Sequence, residues 1–410
     1  MNQSAKFILK KAPYISMIAG LIIIGAGFAM VNFNPYKLQT KQQLPFEKKE
    51  ESYAIDAISK LKIESYHSDI TLTPSNDDQF HIQYSENEEY PVDLKIEQNT
   101  LSFQRVPQAV QISWFNFEHD INIPITIEVP QQYTGSLSLE NTYGFVDINH
   151  MTNTDVFIES QHGPIQMNTI QSDTLQVRGS YSDITLTDMT IAKKLNLSNE
   201  HAAITFDKLN ADELKVTGSY SDIRLKDVTL AQALSLENEH GTISLERMKA
   251  DALILSSSYS DTSFQEVSLQ KNIHIDNEHS ALNLGSLRAQ SLDLTSDYGD
   301  IEGKVFQIEQ AVDISIEHSA INIANLEATD LQLTSSYGDC IITNTTAQNI
   351  IADLYHGSIS TILKGSLDDF HIVSEASHGE NMLPTQYNKD GKQKLQINTD
   401  YGDIDISFQP

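Results

Sequence analysis

Apolar residues along the middle of the chain recur in pairs two apart, and the gaps between pairs are just as regular. After His201 the apolar positions are Ile204, Phe206, Leu209, Ala211, Leu214 and Val216. After His240 they are Ile243, Leu245, Met248, Ala250, Leu253 and Leu255, and the frame returns after His279 and His318. The spacing is two, three, two, three, two. Residues two apart share one side of an extended strand, so each unit predicts three short strands with a bend after each pair. The frame after Tyr181 (Ile184, Leu186, Met189, Ile191, Leu195, Leu197) carries one extra residue before its third pair, which predicts an outward bulge there. Helical spacing is not sustained over any long stretch.

The landmarks themselves repeat. Tyr181, Tyr220, Tyr259, Tyr298 and Tyr337 follow at 39-residue steps, and His201, His240, His279 and His318 do the same about half a unit out of phase. The working period is therefore 19 or 20 residues. A unit this short cannot bury its own apolar face and must stack on its neighbours. The expected fold is all-β: a right-handed parallel β-solenoid with about three short strands per turn, right-handedness being the rule for parallel crossovers. Ten turns between Tyr143 and Tyr337 would make a rod of roughly 48 Å at the strand spacing. Regular repeats are expected over 136–365, with an N-terminal capping β region over 55–135 and C-terminal turns and a cap over 366–410. Near that end the landmarks spread to 22 residues (His356 to His378) and 23 (His378 to Tyr401). Asn388–Lys392 reads as a hairpin turn.

Residues 12–31 are apolar and uncharged, long enough for one transmembrane helix. They would separate a cytoplasmic tail (1–11) from a linker (32–54). Lys6, Lys10 and Lys11 precede the segment, and the positive-inside rule then places the β-solenoid outside the cell. Gly27-Phe28-Ala29 offers a signal-cleavage alternative, but the apolar run exceeds the usual signal core. With 56 acidic against 27 basic residues the net charge is −29, which argues against nucleic acid or bare anionic lipid as a partner and favours cationic peptides or another envelope protein. Cys340, the lone cysteine, excludes an internal disulfide and reads as a small buried hydrophobe.

Stacking turns at about 4.8 Å places the rings in one column: Tyr181, His201, Tyr220, His240, Tyr259, His279, Tyr298, His318 and Tyr337 form a structural ladder, the small residues after them suiting a tight bend. Asp183, Asp222, Asp261, Asp300 and Asp339 form an acidic row, the binding candidates on the repeats, flanked by Glu200, Glu239, Glu278 and Glu317. One aspartate per two turns is too sparse for the six to eight oxygens calcium needs, and the histidines are too far apart for zinc, so neither a metal nor a cofactor is expected. Histidines beside glutamates would charge near pH 6. Polar residues duplicated turn after turn do not make the unique convergence a catalytic site requires, so no enzyme is expected. Trp114, Phe115 and Phe117 form a non-repeating aromatic cluster, either a plug for the apolar end or a contact patch.

The segment Ile125–Ile148 (ITIEVPQQYTGSLSLENTYGFVDI) has a strand ending in Val-Pro, a short loop, a Leu-x-Leu strand and a glycine turn. Gly299-Asp300-Ile301 and Gly402-Asp403-Ile404 end later ladders the same way. Over roughly residues 55–410 the chain resembles the bacterial "putative adhesin" β-strand-repeat family. An anchor followed by such repeats is similar to the LiaG-like proteins of Gram-positive envelope-stress systems. The resemblance implies a surface β-solenoid and carries no catalytic residue across. The expected role is a membrane-anchored, extracytoplasmic, non-enzymatic interaction or envelope-stress module. The alternatives are an adhesin for a host or matrix ligand and a polysaccharide-active β-helix enzyme.

Overall fold

The computed structural model describes residues 45–105 and 122–410. The segment 12–31 and the cluster Trp114, Phe115 and Phe117 lie outside the described residues. Among the described residues no helix is long and apolar enough to cross a membrane.

The described chain is a β-solenoid. One position shows how the coils stack in register: Ile184 pairs with Ile204, then Ile223, Ile243, Thr262, Leu282, Ile301, Ile321, Cys340, Ile359 and Ile404, always in parallel. Each coil has three sides because its three apolar pairs all point inward. Ile204, Phe206, Leu209, Leu214 and Val216 are fully buried, and the same positions in other coils join them in one core. The first bend, between the first and second pairs, is made by a residue in left-handed conformation: Asp188, Lys208, Asp227, Arg247 and Glu266 have φ of 52–67°. The extra residue of the Tyr181 unit sits where the pattern predicts it, since register slips between Ile191 and Lys194 against both neighbouring coils.

Both ends depart from sequential stacking. The first coil is not outermost: Lys60–Ser65 lies between Thr100–Arg105 and Ser136–Tyr143, and Ile70–Ser75 between Ile125–Pro130 and Val146–His162. Antiparallel strands close this end, Glu47–Ala54 on Gln79–Glu86 and Val92–Glu97 on Thr100–Arg105. At the other end Asn349–His356 pairs with Gln393–Tyr401, while Phe370–Ala376 lies on the far side of that strand with Gln386–Tyr387 antiparallel to it. The spacings of 22 and 23 residues are therefore not longer coils. The chain skips a layer and returns to fill it. Asn388–Lys392 does turn, with Gly391 N–H donating to Asn388 C=O at 2.9 Å. It joins strands separated by a third strand, so it is not a hairpin. A parallel coil would leave a row of unpaired amides at each end; the exchanged layers and antiparallel strands cover much of it.

Arg105 anchors the N-terminal cap. It is fully buried and donates to Ser68 Oγ (2.7 Å), Ile123 C=O (3.1 Å) and Ser85 C=O (2.6 Å). Burial lowers its pKa to about 10.

Candidate functional site

The rings form one continuous column. In spatial order it runs His67, Tyr143, His162, Tyr181, His201, Tyr220, His240, Tyr259, His279, Tyr298, His318, Tyr337, His356, Tyr401, His378. Neighbouring centroids are 4.5 Å (His378–Tyr401) to 5.4 Å (His162–Tyr181) apart, and every contact is stacked. Histidine and tyrosine alternate without a break, even where layers are exchanged. Ring faces are covered by neighbours, so the column offers solvent its edges; the tyrosines from Tyr181 to Tyr337 stay about half exposed. Tyr66 and Tyr355, each just before a histidine, stand edge-on to the column near its two ends.

The corner works differently from the expectation. Left-handed φ falls on the rings themselves, as at Tyr181 (57°), His201 (60°), Tyr220 (54°) and His240 (62°), and positive φ reaches the small residue after a ring only at Gly144 (106°) and Gly241 (134°) among the described residues. That conformation costs an L-residue roughly 1–2 kcal/mol, a cost offset by stacking of about 0.5–1.5 kcal/mol per aromatic pair and by retained ladder bonds. Tyr181 N–H donates to Glu200 C=O at 2.8 Å, and His201 N–H to Ser219 C=O at 2.8 Å. Where the next residue is glycine, a side chain has no room. A Cβ on Gly299 would stand 1.9 Å from the Ser280 carbonyl oxygen.

The aspartate row is also structural. Asp183 accepts the Ala203 N–H (3.0 Å), Asp222 the Thr242 N–H (3.0 Å), Asp261 the Ala281 N–H (3.1 Å), Asp300 the Ala320 N–H (2.8 Å) and Asp339 the Ser358 N–H (2.8 Å). Each aspartate thus caps an amide of the next coil that would otherwise lack a partner. Among the described residues no group of three or more histidine, cysteine or acidic side chains is arranged to hold a metal ion.

A second polar ladder escaped the sequence reading. Asn199, Asn238 and Asn277 lie two residues before their histidines and are buried at the corner. Asn199 Nδ2 donates to the Ser182 and Ala202 carbonyls at 3.0 and 2.9 Å, and Asn238 Nδ2 to the Ser221 carbonyl at 2.9 Å. The repeated Asn-Glu-His triplet was the available signal. These asparagines explain Gly179 and Gly218 in the adjoining coils, where a Cβ would come within 2.3 and 2.2 Å of Oδ1 of Asn199 and Asn238.

Chemistry that remains available to a partner lies on the third side of the rod, where Glu64 is paired with Lys62 and Glu159 with Arg178 but the other carboxylates beside the rings have no lysine or arginine partner among the described residues. Its outward residues one and three places before each ring include Glu64, Glu140, Glu159, Glu200, Glu237, Glu239, Asp276, Glu278, Asp297, Glu317, Asp353, Glu375 and Asp400, against a single base, Arg178. Glu64, Glu140 and Glu159 are successive partners in register. Depressions of about 260, 310 and 440 Å³ lie along this side. The Glu200, Glu239, Glu278 and Glu317 row belongs here, whereas the aspartate row is turned to the backbone. Glu278 and Glu317 lie 3.6 and 3.7 Å from the imidazole nitrogens of His279 and His318.

The chain belongs to the Toastrack DUF4097 family, whose pattern matches residues 58–271 and 249–407. The match agrees with the resemblance carried by the Ile125–Ile148 segment. Two crystal structures align over most of their lengths. A "putative cell adhesion protein" from Clostridium sporogenes is 7% identical, with a TM-score of 0.17, over 89% of this chain and 100% of that one. A "putative adhesin" from Bacteroides fragilis is 13% identical, with a TM-score of 0.18, over 88% and 97%. At this similarity the adhesion names stay with those proteins. No curated protein matches the sequence.

Proposed function

We propose that the protein is a non-enzymatic surface module, anchored by residues 12–31 with its β-solenoid outside the cell, that captures cationic ligands along its third side. The observation carrying this reading is the asymmetry beside the rings: thirteen carboxylates against one base at the two outward positions preceding them. Such a strip raises the local concentration of cations and steers their encounter. Its chemistry repeats along the rod, which suits an extended, multiply charged ligand such as a cationic peptide. The apolar run with lysines before it supports the anchor.

The test is binding of a fluorescent oligolysine to the full-length protein across a salt series. The reading predicts that affinity falls steeply from about 0.05 to 0.5 M salt. It also predicts that the triple variant Glu237→Gln, Glu239→Gln, Glu278→Gln weakens binding, while neutralising Asp173, Asp188 and Asp251, which already pair with lysines, has a smaller effect. Binding that persists in high salt would instead favour a shaped adhesin site. Equal loss from both triple variants would overturn the assignment to this side.

A further inference from the structure

A depression of about 570 Å³ lies away from the rings, between the first bend and the second side. Its floor is one register row: Thr229, Lys249, Ser268, Arg288 and Gln307 are successive partners across five coils. Lys249 and Arg288 are two coils apart, about 9.6 Å at the strand spacing, with the small Ser268 between them.

The bases in this region divide into two kinds. Lys226, Arg247 and Lys271 are paired with Asp207, Asp227 and Asp251. Arg247 occupies both oxygens of Asp227, at 2.7 and 2.9 Å, and holds that carboxyl below its ordinary range. Lys249 and Arg288 make no ion pair among the described residues, in a chain with 56 acids to 27 bases. Arg288 is also held in place, its Nη2 donating to Gln307 Oε1 at 2.7 Å. The uncommitted acid on the lining is Glu266 at the bend. Beside the Asp227–Arg247 pair, the remaining lining combines the hydroxyls and amide of Thr229, Ser268, Ser286 and Gln307 with apolar Met248, Val267, Leu287 and Val305.

We propose that this depression binds an oxyanion, phosphate or carboxylate, carried on a hydroxyl-bearing polymer and held between Lys249 and Arg288 over Ser268. An arginine with a fixed guanidinium suits paired oxygens, and lysine adds a point charge. Neutral groups on either side suit sugar or glycerol hydroxyls. The site is opposite in sign to the acid-rich third side, so the two can be occupied independently.

The experiment titrates full-length protein with poly(glycerol phosphate) and, separately, with polygalacturonate, at about 0.15 M salt to screen the overall negative charge. Saturable binding of at least one polymer is expected, and the stronger binder identifies the anion. The double variant Lys249→Gln, Arg288→Gln should weaken it about tenfold or more, as expected for losing charge-assisted bonds. A control, Lys193→Gln with Lys271→Gln, removes the same charge from bases already paired with Asp173 and Asp251 and should stay within about twofold. Circular dichroism confirms that both variants keep the β fold. No saturable binding of either polymer, or an equal loss in the control, would overturn the proposal.

Discussion

His356 and Tyr401 stack at 4.7 Å although 45 residues separate them, and His378, which lies between them in sequence, stacks on the far face of Tyr401 at 4.5 Å. The alternation is thus a rule of space rather than of chain order. Tyr401→Ala removes both contacts at once. A loss of roughly 1–3 kcal/mol is expected from two aromatic pairs and the area they shield, read by urea denaturation, whereas Tyr401→Phe should keep most of the stability.

Gly218 and Asn238 are matched across neighbouring coils. Gly218→Ala would push a Cβ to within 2.2 Å of Asn238 Oδ1, and overpacking of this kind costs about 1–3 kcal/mol. Adding Asn238→Ser should recover part of it, since serine occupies the same place at Ser257 and Ser296. A double-mutant cycle in chemical denaturation measures the coupling; additive losses would refute the pairing.

Asp222 serves two donors of one residue, the Thr242 N–H at 3.0 Å and the Thr242 Oγ1 at 2.8 Å. Asp222→Ala should cost about 1–2 kcal/mol by thermal or urea unfolding. Asp222→Asn keeps an acceptor oxygen and should cost less. Local hydrogen exchange should quicken at Thr242 in the alanine variant.

Cys340 is fully buried, and burial pushes its thiol up to about 12. The unfolded thiol titrates near 8.5, so the folded state holds its proton longer. This contribution is intact below pH ~8.5 and shrinks as pH rises toward 12, by about 1.4 kcal/mol per unit within that window. Cys340→Val should flatten the fall in stability between pH ~8.5 and 10.5 relative to the native chain. The native thiol should react slowly with alkylating agents until the protein unfolds.

The coil itself was legible because inward pairs two apart leave a direct trace in sequence, as at Ile204/Phe206 and Leu209/Ala211. So was the outward bulge before Leu195. The exchanged end layers were not, because local pattern is the same whether Gln393–Tyr401 stacks on Asn349–His356 or on Phe370–Ala376. The role of Asp183 and its equivalents was missed for a related reason. Their repetition is visible, but the amide each one caps belongs to another coil. The left-handed corners at Tyr181 and His201 ran against intuition, since bulky residues rarely take that conformation.

Layer order is also what a cross-linking measurement tests most directly. Asp353 pairs with Asn398, and Asn398 pairs in turn with Glu375. In a Cys340→Val background, cysteines at 353 and 398, or at 375 and 398, lie within reach of a disulfide, whereas 353 and 375 are two layers apart, about 9.6 Å. Rapid oxidation of the first two pairs, with little or none of the third, is the predicted result. Efficient cross-linking of 353 to 375 would mean that the coils follow chain order after all.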